Sequence, residues 1–294
     1  MGCLRKFTKI GFTGAMTGLG TVTNMVGVIP SFDRRIDFGF EWDDCLTPLE
    51  HDYTLLERSV MECATVGCSS IWICCDPHMI PLTKERIGEV ALDPVWARRP
   101  FEKEGWKLKR YIPIFYVPIN SMHINKMESV AWQIIWAAHS SYYVSKFISK
   151  WTTYDKVYVS SPFGVYDFEV LREKREIIRK NNVFLQYDNK DATHDIPLGF
   201  CFTAEDFIES RRNLRRLFTE KGKEIYEEGT KWVFDNIKNK DYELITIEEF
   251  YPLRTFQDLR NYYGSSLAFD YKKKNWLVPK VWFDRTSTKE NKNE

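Results

Sequence analysis

Immediately after an apolar run, MVGVIP, the chain carries Asp33, Arg34, Arg35, Asp37, Glu41, Asp43 and Asp44. Two adjacent guanidiniums in such a loop suit phosphate, because arginine offers a planar donor fork to two oxygens at once. Their alternative role is a pair of surface ions partnered by Asp33 and Asp37. Pro30, Ser31 and Phe32 lead into this loop and would meet a ligand's phosphates or ring. Asp76 ends a second apolar run before Pro77, where it would contact the same ligand. Ser161 and Gly164 follow a third run. A glycine there would let backbone approach the ligand closely, and its alternative role is a turn. Asp167 lies three residues further on and is the candidate metal carboxylate, or otherwise an N-cap for a helix starting at Phe168.

These groups need a scaffold that brings several strand ends together. The first strand spans about 25–30. A helix follows over about 53–66, where Leu55, Leu56, Ser59, Val60, Cys63 and Ala64 fall on one face. Gly67 is placed as its C-cap. Ile71–Cys75 reads as a buried parallel strand. A βαβ start of this kind places ligands beyond the carboxyl ends of its strands. A short helix is expected near 83–90. RYIPIFYVPI alternates and carries Pro113 and Pro118, which points to an edge strand or a strand end. Residues 126–149 form the longest helical candidate, Val157–Ser160 another strand, FEVLREKREIIRKN a charged helix and VFLQY a further strand. Beyond 200, Thr203 and Asp206 open a helix as a capping box, and a second helix covers 221–238. WLVPKVWFD reads as a short extended segment. The expected organisation is a leader or extra strand over 1–24, an α/β domain over 25–200, a helical region over 201–283 and a polar, disordered tail over 284–294. The fold class is therefore α/β: a Rossmann-like, mostly parallel sheet flanked by helices, with a helical C-terminal extension.

Composition narrows the partners. A chain of 294 residues with net charge +1 and 15% aromatic content has enough apolar material for a large core, and its balanced charge gives no electrostatic preference for nucleic acid. Seven cysteines, an odd count without a CxxC pair, suit buried free thiols in a reducing compartment better than disulfides or zinc. No apolar run approaches the roughly 20 residues of a membrane span. The start MGCLRK lacks the Ser or Thr of a myristoylation signal and an apolar secretory core. The expected location is the cytoplasm.

Taken together, IPSFDRR, Pro48-Leu49, Leu55-Leu56-Glu57-Arg58, Val66-Gly67-Cys68 and IWICCD resemble the opening of GT-A-like nucleotidyltransferases of the sugar-nucleotide pyrophosphorylase type. SVAWQIIWAAHSSYY followed by KVYVSSPFGVYD resembles that family's later helix and strand. The layout is also similar to nucleotidyltransferase-like proteins of tailed phages, which would place the chain in a host cytoplasm. The resemblance covers residues 25–200. It implies transfer of a nucleotidyl group from a nucleoside triphosphate to a sugar phosphate or similar acceptor, with a divalent metal such as Mg²⁺. Arg34 and Arg35 would be catalytic, Pro30, Ser31, Phe32, Asp76, Ser161 and Gly164 would bind nucleotide, and Asp167 would hold the metal. Such catalysis is mostly positioning and charge neutralisation. The chain departs from the family pattern at three places: the loop lacks glycines, Thr47 replaces a lysine before Pro-Leu, and SSP replaces the metal-binding aspartate. These departures open a second reading, a catalytically degenerate binding or structural module.

Two further features compete. TGAMTGLG at 13–20, with Tyr142 and Lys146 at YxxxK spacing, resembles short-chain dehydrogenases. Gly27 and Pro30, however, interrupt the helix that should follow such a glycine loop. The aromatic residues of 126–149 read as core or as a subunit contact, so an oligomer is compatible with the sequence. The RRNLRR run reads as a solvated face or a surface for an acidic partner or nucleic acid.

Overall fold

The fold is described from a computed structural model, which covers residues 24–50, 53–97, 110–119, 126, 128–148, 153–221, 224–238 and 240–268. Residues 1–23 with their glycine motif, the segment 276–284 and the tail 284–294 lie outside the described residues.

In chain order the elements are β1 (Met25–Pro30), β2 (Pro48–Glu50), β3 (Tyr53–Thr54), α1 (Leu55–Val66), β4 (Ser70–Cys75), α2 (Ile80–Ile87), β5 (Val90–Leu92), α3 (Pro94–Ala97), β6 (Tyr111–Pro118) and α4 (Val130–Ile148). They continue with β7 (Lys156–Val159), β8 (Gly164–Tyr166), α5 (Val170–Glu173), α6 (Arg175–Lys180), β9 (Asn182–Gln186), β10 (Phe200–Thr203), α7 (Ala204–Glu220), α8 (Ile225–Lys238), β11 (Tyr242–Thr246), β12 (Phe250–Pro252) and α9 (Phe256–Tyr263). Eight strands form the central sheet in the order β11-β9-β10-β7-β1-β4-β6-β5. The inner four, β7, β1, β4 and β6, run parallel, whereas β10 is antiparallel to both neighbours and β5 is antiparallel to β6.

All six residues of β1 are buried, as a parallel strand covered on both faces requires. The alternation of side chains divides the core in two. Met25, Ile29, Ile73 and Cys75 pack with α1 and α5 on one face. Val26, Val28, Trp72 and Cys74 pack under α4, α7 and α8 on the other. Adjacent Cys74 and Cys75 thus belong to opposite cores. The six described cysteines are free and buried. No helix among the described residues is long and apolar enough to cross a membrane.

The expected Gly67 C-cap and Thr203–Asp206 capping box are present, and a further box starts α1. Thr54 and Glu57 form a reciprocal capping box at the start of α1, and Gly67 ends it with φ 99°, a conformation that glycine adopts without steric cost. Thr203 and Asp206 cap α7 in the same way. Other elements differ from expectation. α1 is buried all round, including Glu57, Arg58 and Glu62, because α3, α5 and β3 pack against it as well as the sheet strands β1 and β5. The charged helix after Phe168 is two short pieces, α5 and α6, broken at Lys174. β6 is not an edge strand. It lies between β4 and β5, and its prolines fit because Pro113 precedes the first residue paired with β4, Ile114, while Pro118 ends the ladder opposite Cys75. The sheet also continues past residue 200: β10 and β11 add to it through β9, interleaved with the helices α7 and α8.

Candidate functional site

The carboxyl ends of β1, β4 and β7 meet at one end of the sheet, and the charged loop emerges there from the central strand. Ser31 continues the ladder: its N–H donates to the Cys74 carbonyl (3.3 Å), and Ser160 does the same to Val28 (3.1 Å). The Ser31 hydroxyl also hydrogen-bonds the Cys75 thiol, which burial nevertheless pushes up to about 12. Phe32 is held by α4. Gln133, fully buried, donates to the Phe32 carbonyl (2.6 Å) and accepts its N–H (3.3 Å). A backbone amide that would otherwise face a ligand is thus already occupied.

The two arginines diverge. Arg34 extends outward with its side chain 54% exposed and meets Glu128, itself 42% exposed, at 3.1 Å. Arg35 folds back onto buried Asp33, donating through Nε (2.8 Å) and Nη2 (2.5 Å) to its two oxygens. Its other terminal nitrogen pairs with Asp195. Asp195 comes from a distant turn in which it adopts φ 66°, and its carbonyl accepts from Arg254 (2.7 Å). Residue 254 in turn accepts the Asp37 N–H (2.9 Å). The loop is therefore strapped from two directions, by Asp195 and by the segment after β12. Arg35 is the strut of this arrangement, and Arg34 is the guanidinium presented to solvent.

The remaining candidates have local duties. Asp76 caps the turn after β4 by accepting the His78 N–H (2.8 Å). Asp43 lies close enough to Asp76 and Asp44 that burial and then their repulsion raise its carboxyl above the ordinary range. This side of the strand ends is therefore acidic. Gly164 is a place of close backbone approach, but the neighbour is protein: a Cβ there would lie 1.9 Å from the Pro197 carbonyl oxygen. Ser161 is half-buried beside Ser160. Asp167 accepts the Glu169 N–H (3.1 Å) in the turn ahead of α5; the helix starts at Val170 with Glu169 as its N-cap and no side-chain capping bond, so Asp167 is not the expected cap of a helix starting at Phe168. Among the described residues no three His, Cys, Asp or Glu side chains are placed to hold a metal ion. The described residues do not build a metal cage around Asp167. Thr47 is buried, and its carbonyl accepts the Leu55 N–H (3.0 Å).

Gln133, Asp195 and Arg254 were not legible as site residues. Each is an isolated polar residue far from the loop in sequence, with no motif around it. For the dehydrogenase reading, Gly14–Gly20 lie outside the described residues. Tyr142 packs on Tyr154 (5.9 Å) and Phe207 (6.5 Å), while Lys146 is exposed.

No family model matches the chain, and no curated protein matches it in sequence. Solved structures do match. UDP-glucose pyrophosphorylase complexed with UDP-glucose is 11% identical with a TM-score of 0.51, covering 86% of this chain and 99% of that one. A Bacillus anthracis protein described as a glucose-1-phosphate thymidylyltransferase, in complex with sucrose, is 10% identical with a TM-score of 0.47, covering 82% of this chain and 94% of that one. Rv0371c from Mycobacterium tuberculosis H37Rv is 12% identical with a TM-score of 0.46, covering 83% and 100%. At these identities the likeness is one of fold: a mostly parallel, eight-stranded α/β sheet of the nucleotidyltransferase type, flanked by helices.

Proposed function

We propose that the chain binds a nucleoside triphosphate at the carboxyl ends of β1, β4 and β7 and transfers its nucleotidyl group to a sugar phosphate or similar acceptor. The observation carrying this reading is the loop Ser31–Arg35, which leaves the central strand of a nucleotidyltransferase-type fold and presents one arginine outward on a braced backbone. In the reaction an acceptor phosphate oxygen attacks the α-phosphorus, the bond to the bridging oxygen breaks, and pyrophosphate leaves. Arg34 would neutralise phosphate charge. Its exposed pair with Glu128 is worth little, so exchanging that carboxylate for phosphate costs little. Arg35 would act through position, holding the backbone on which Arg34 sits. Ser31, Phe32, Ser161 and Gly164 would line the nucleotide side. Asp76 faces the acidic rim, and a divalent cation such as Mg²⁺ would arrive with the triphosphate to offset that rim's charge.

A second reading, a binding module without transfer, is favoured by one observation. Arg35 and the Phe32 amide are already satisfied by Asp33, Asp195 and Gln133, so fewer donors remain for the charge that develops in a transition state. One experiment separates the two. Tm is measured with each nucleoside triphosphate, with and without Mg²⁺, and pyrophosphate release is followed on adding a sugar 1-phosphate. Stabilisation with release supports transfer; stabilisation without release supports the module. Absence of any stabilisation, or a shift unchanged in Arg34→Ala, refutes nucleotide binding at this loop.

A further inference from the structure

Beside α4 lies a groove that this function does not use. It has a volume of about 430 Å³ and runs between α4 and α7. Trp132, Trp136 and His139 line it from α4, and Arg211, Arg215 and Lys126 line it from α7 and the approach to α4. The rings form a continuous stack, with centroids 5.1 Å apart for Trp132–Trp136 and 6.2 Å for Trp136–His139. Trp136 is fixed by donating its indole N–H to the Pro118 carbonyl (3.2 Å). Arg211 and Arg215 are one helical turn apart, so both face the groove. Neither has a carboxylate within ion-pair distance among the described residues, although Arg216 next to them pairs with Glu220 (3.8 Å).

Like charges held together without an acidic partner cost free energy unless an anion completes them. Burial, and then the two guanidiniums, lower the proton affinity of His139, so His139 contributes a neutral ring. Two arginines suit phosphate oxygens, and a wall of indole and imidazole suits a planar ring. The volume is that of a small-molecule site.

We propose that the groove between α4 and α7 binds a phosphate-bearing planar ring, the chemistry of a nucleotide unit. The unit comes either as a free nucleotide or as part of a single strand. Its phosphate lies against Arg211 and Arg215, and its ring lies against the aromatic wall. The RRNLRR run thereby acquires a defined role: two of its arginines turn inward to a ligand, and Arg212 and Arg216 stay on the outer face.

The test uses the full chain carrying Arg34→Ala, so that binding at the first loop does not contribute. Adenosine monophosphate, adenosine, ribose 5-phosphate and a short oligo(dA) are titrated with tryptophan fluorescence as the readout. Adenosine monophosphate is expected to quench saturably, with adenosine and ribose 5-phosphate each about tenfold weaker. Adding Arg211→Ala and Arg215→Ala should weaken binding about tenfold or more while the circular dichroism spectrum is retained. Tighter binding of the oligonucleotide with a steep salt dependence assigns the unit to a single strand; equal affinity assigns it to a free nucleotide. The proposal is overturned by absence of quenching with both adenosine monophosphate and the oligonucleotide, by unchanged affinity in the double arginine variant, or by poly-glutamate binding as tightly as adenosine monophosphate.

Discussion

Arg58 on α1 and Arg34 in the loop after β1 each meet a glutamate at nearly the same separation, 3.0 and 3.1 Å, yet their surroundings are opposite. Arg58 and Glu62 are both essentially without solvent contact. The guanidinium also donates to the Tyr166 carbonyl (3.4 Å) and lies 4.4 Å from the centre of the Tyr166 ring. Glu62 accepts from the Tyr158 hydroxyl (2.7 Å). Each partner removed there would leave the other as a charge in a dry interior. Arg34 and Glu128 are solvated, and either can find water when the other leaves. Arg35 stands between these extremes, partly buried and shared by two carboxylates. The lesson is that a contact distance says little about its energy. Burial decides whether an ion pair is scaffold or a group ready to change partners.

Four variants sharpen or break this contrast. Arg58→Ala should have the largest effect, a loss of about 3–5 kcal/mol in urea unfolding. A loss below about 1 kcal/mol, the range of exposed pairs, would falsify the scaffold role. Gly164→Ala should follow at about 1–3 kcal/mol, because its Cβ has no room against Pro197. Arg35→Ala should cost about 1–3 kcal/mol, since it strands the buried Asp33 carboxylate. If the loop is braced as described, the triphosphate-induced Tm shift should shrink in the same variant. Arg34→Ala should change stability by about 0.5 kcal/mol or less while removing that Tm shift; a large destabilisation would erase the contrast with Arg58.

A fifth effect concerns acid. Burial alone would raise the Asp206 carboxyl, but hydrogen bonds from Lys240, Thr203 and Asn182 outweigh it and hold the group below its ordinary value. Asp191 is lowered in the same way against burial, chiefly by Lys238 and Thr193. A depressed folded value means that the stabilisation is present above the unfolded carboxylate range and is lost as pH falls through the folded value. Asp206→Asn should therefore cost about 1 kcal/mol at neutral pH, with the gap to the unsubstituted chain closing below about pH 4. A gap that stayed constant across that range would mean that the charge of Asp206 contributes nothing.

How much of this was readable beforehand differs by element. β1, α1, β4, α4, β7 and β9 announced themselves, because a buried strand or a long helix repeats its apolar signal over several residues. Thr203 with Asp206 announced a helix start for the same local reason. β10 did not, since FCFT is only four residues and its place between β7 and β9 depends on pairing with distant chain. For the proline-bearing β6 the sequence offered an edge strand or a strand end: Pro118 does end the strand, but the pairing with β5 on its other side depends on chain that local sequence does not record.

The order of apolar runs and caps by itself determined an α/β chain with a charged loop after its first buried strand. Only the tertiary structure decided which charges are free to act there. Arg34 and Arg35 are neighbours with identical chemistry, yet one is presented to solvent and the other is tied down by Asp195, 160 positions away in the chain. Backbone propensity and periodicity act over a few residues, whereas solvation and Coulomb energy depend on whatever the fold packs alongside a charge.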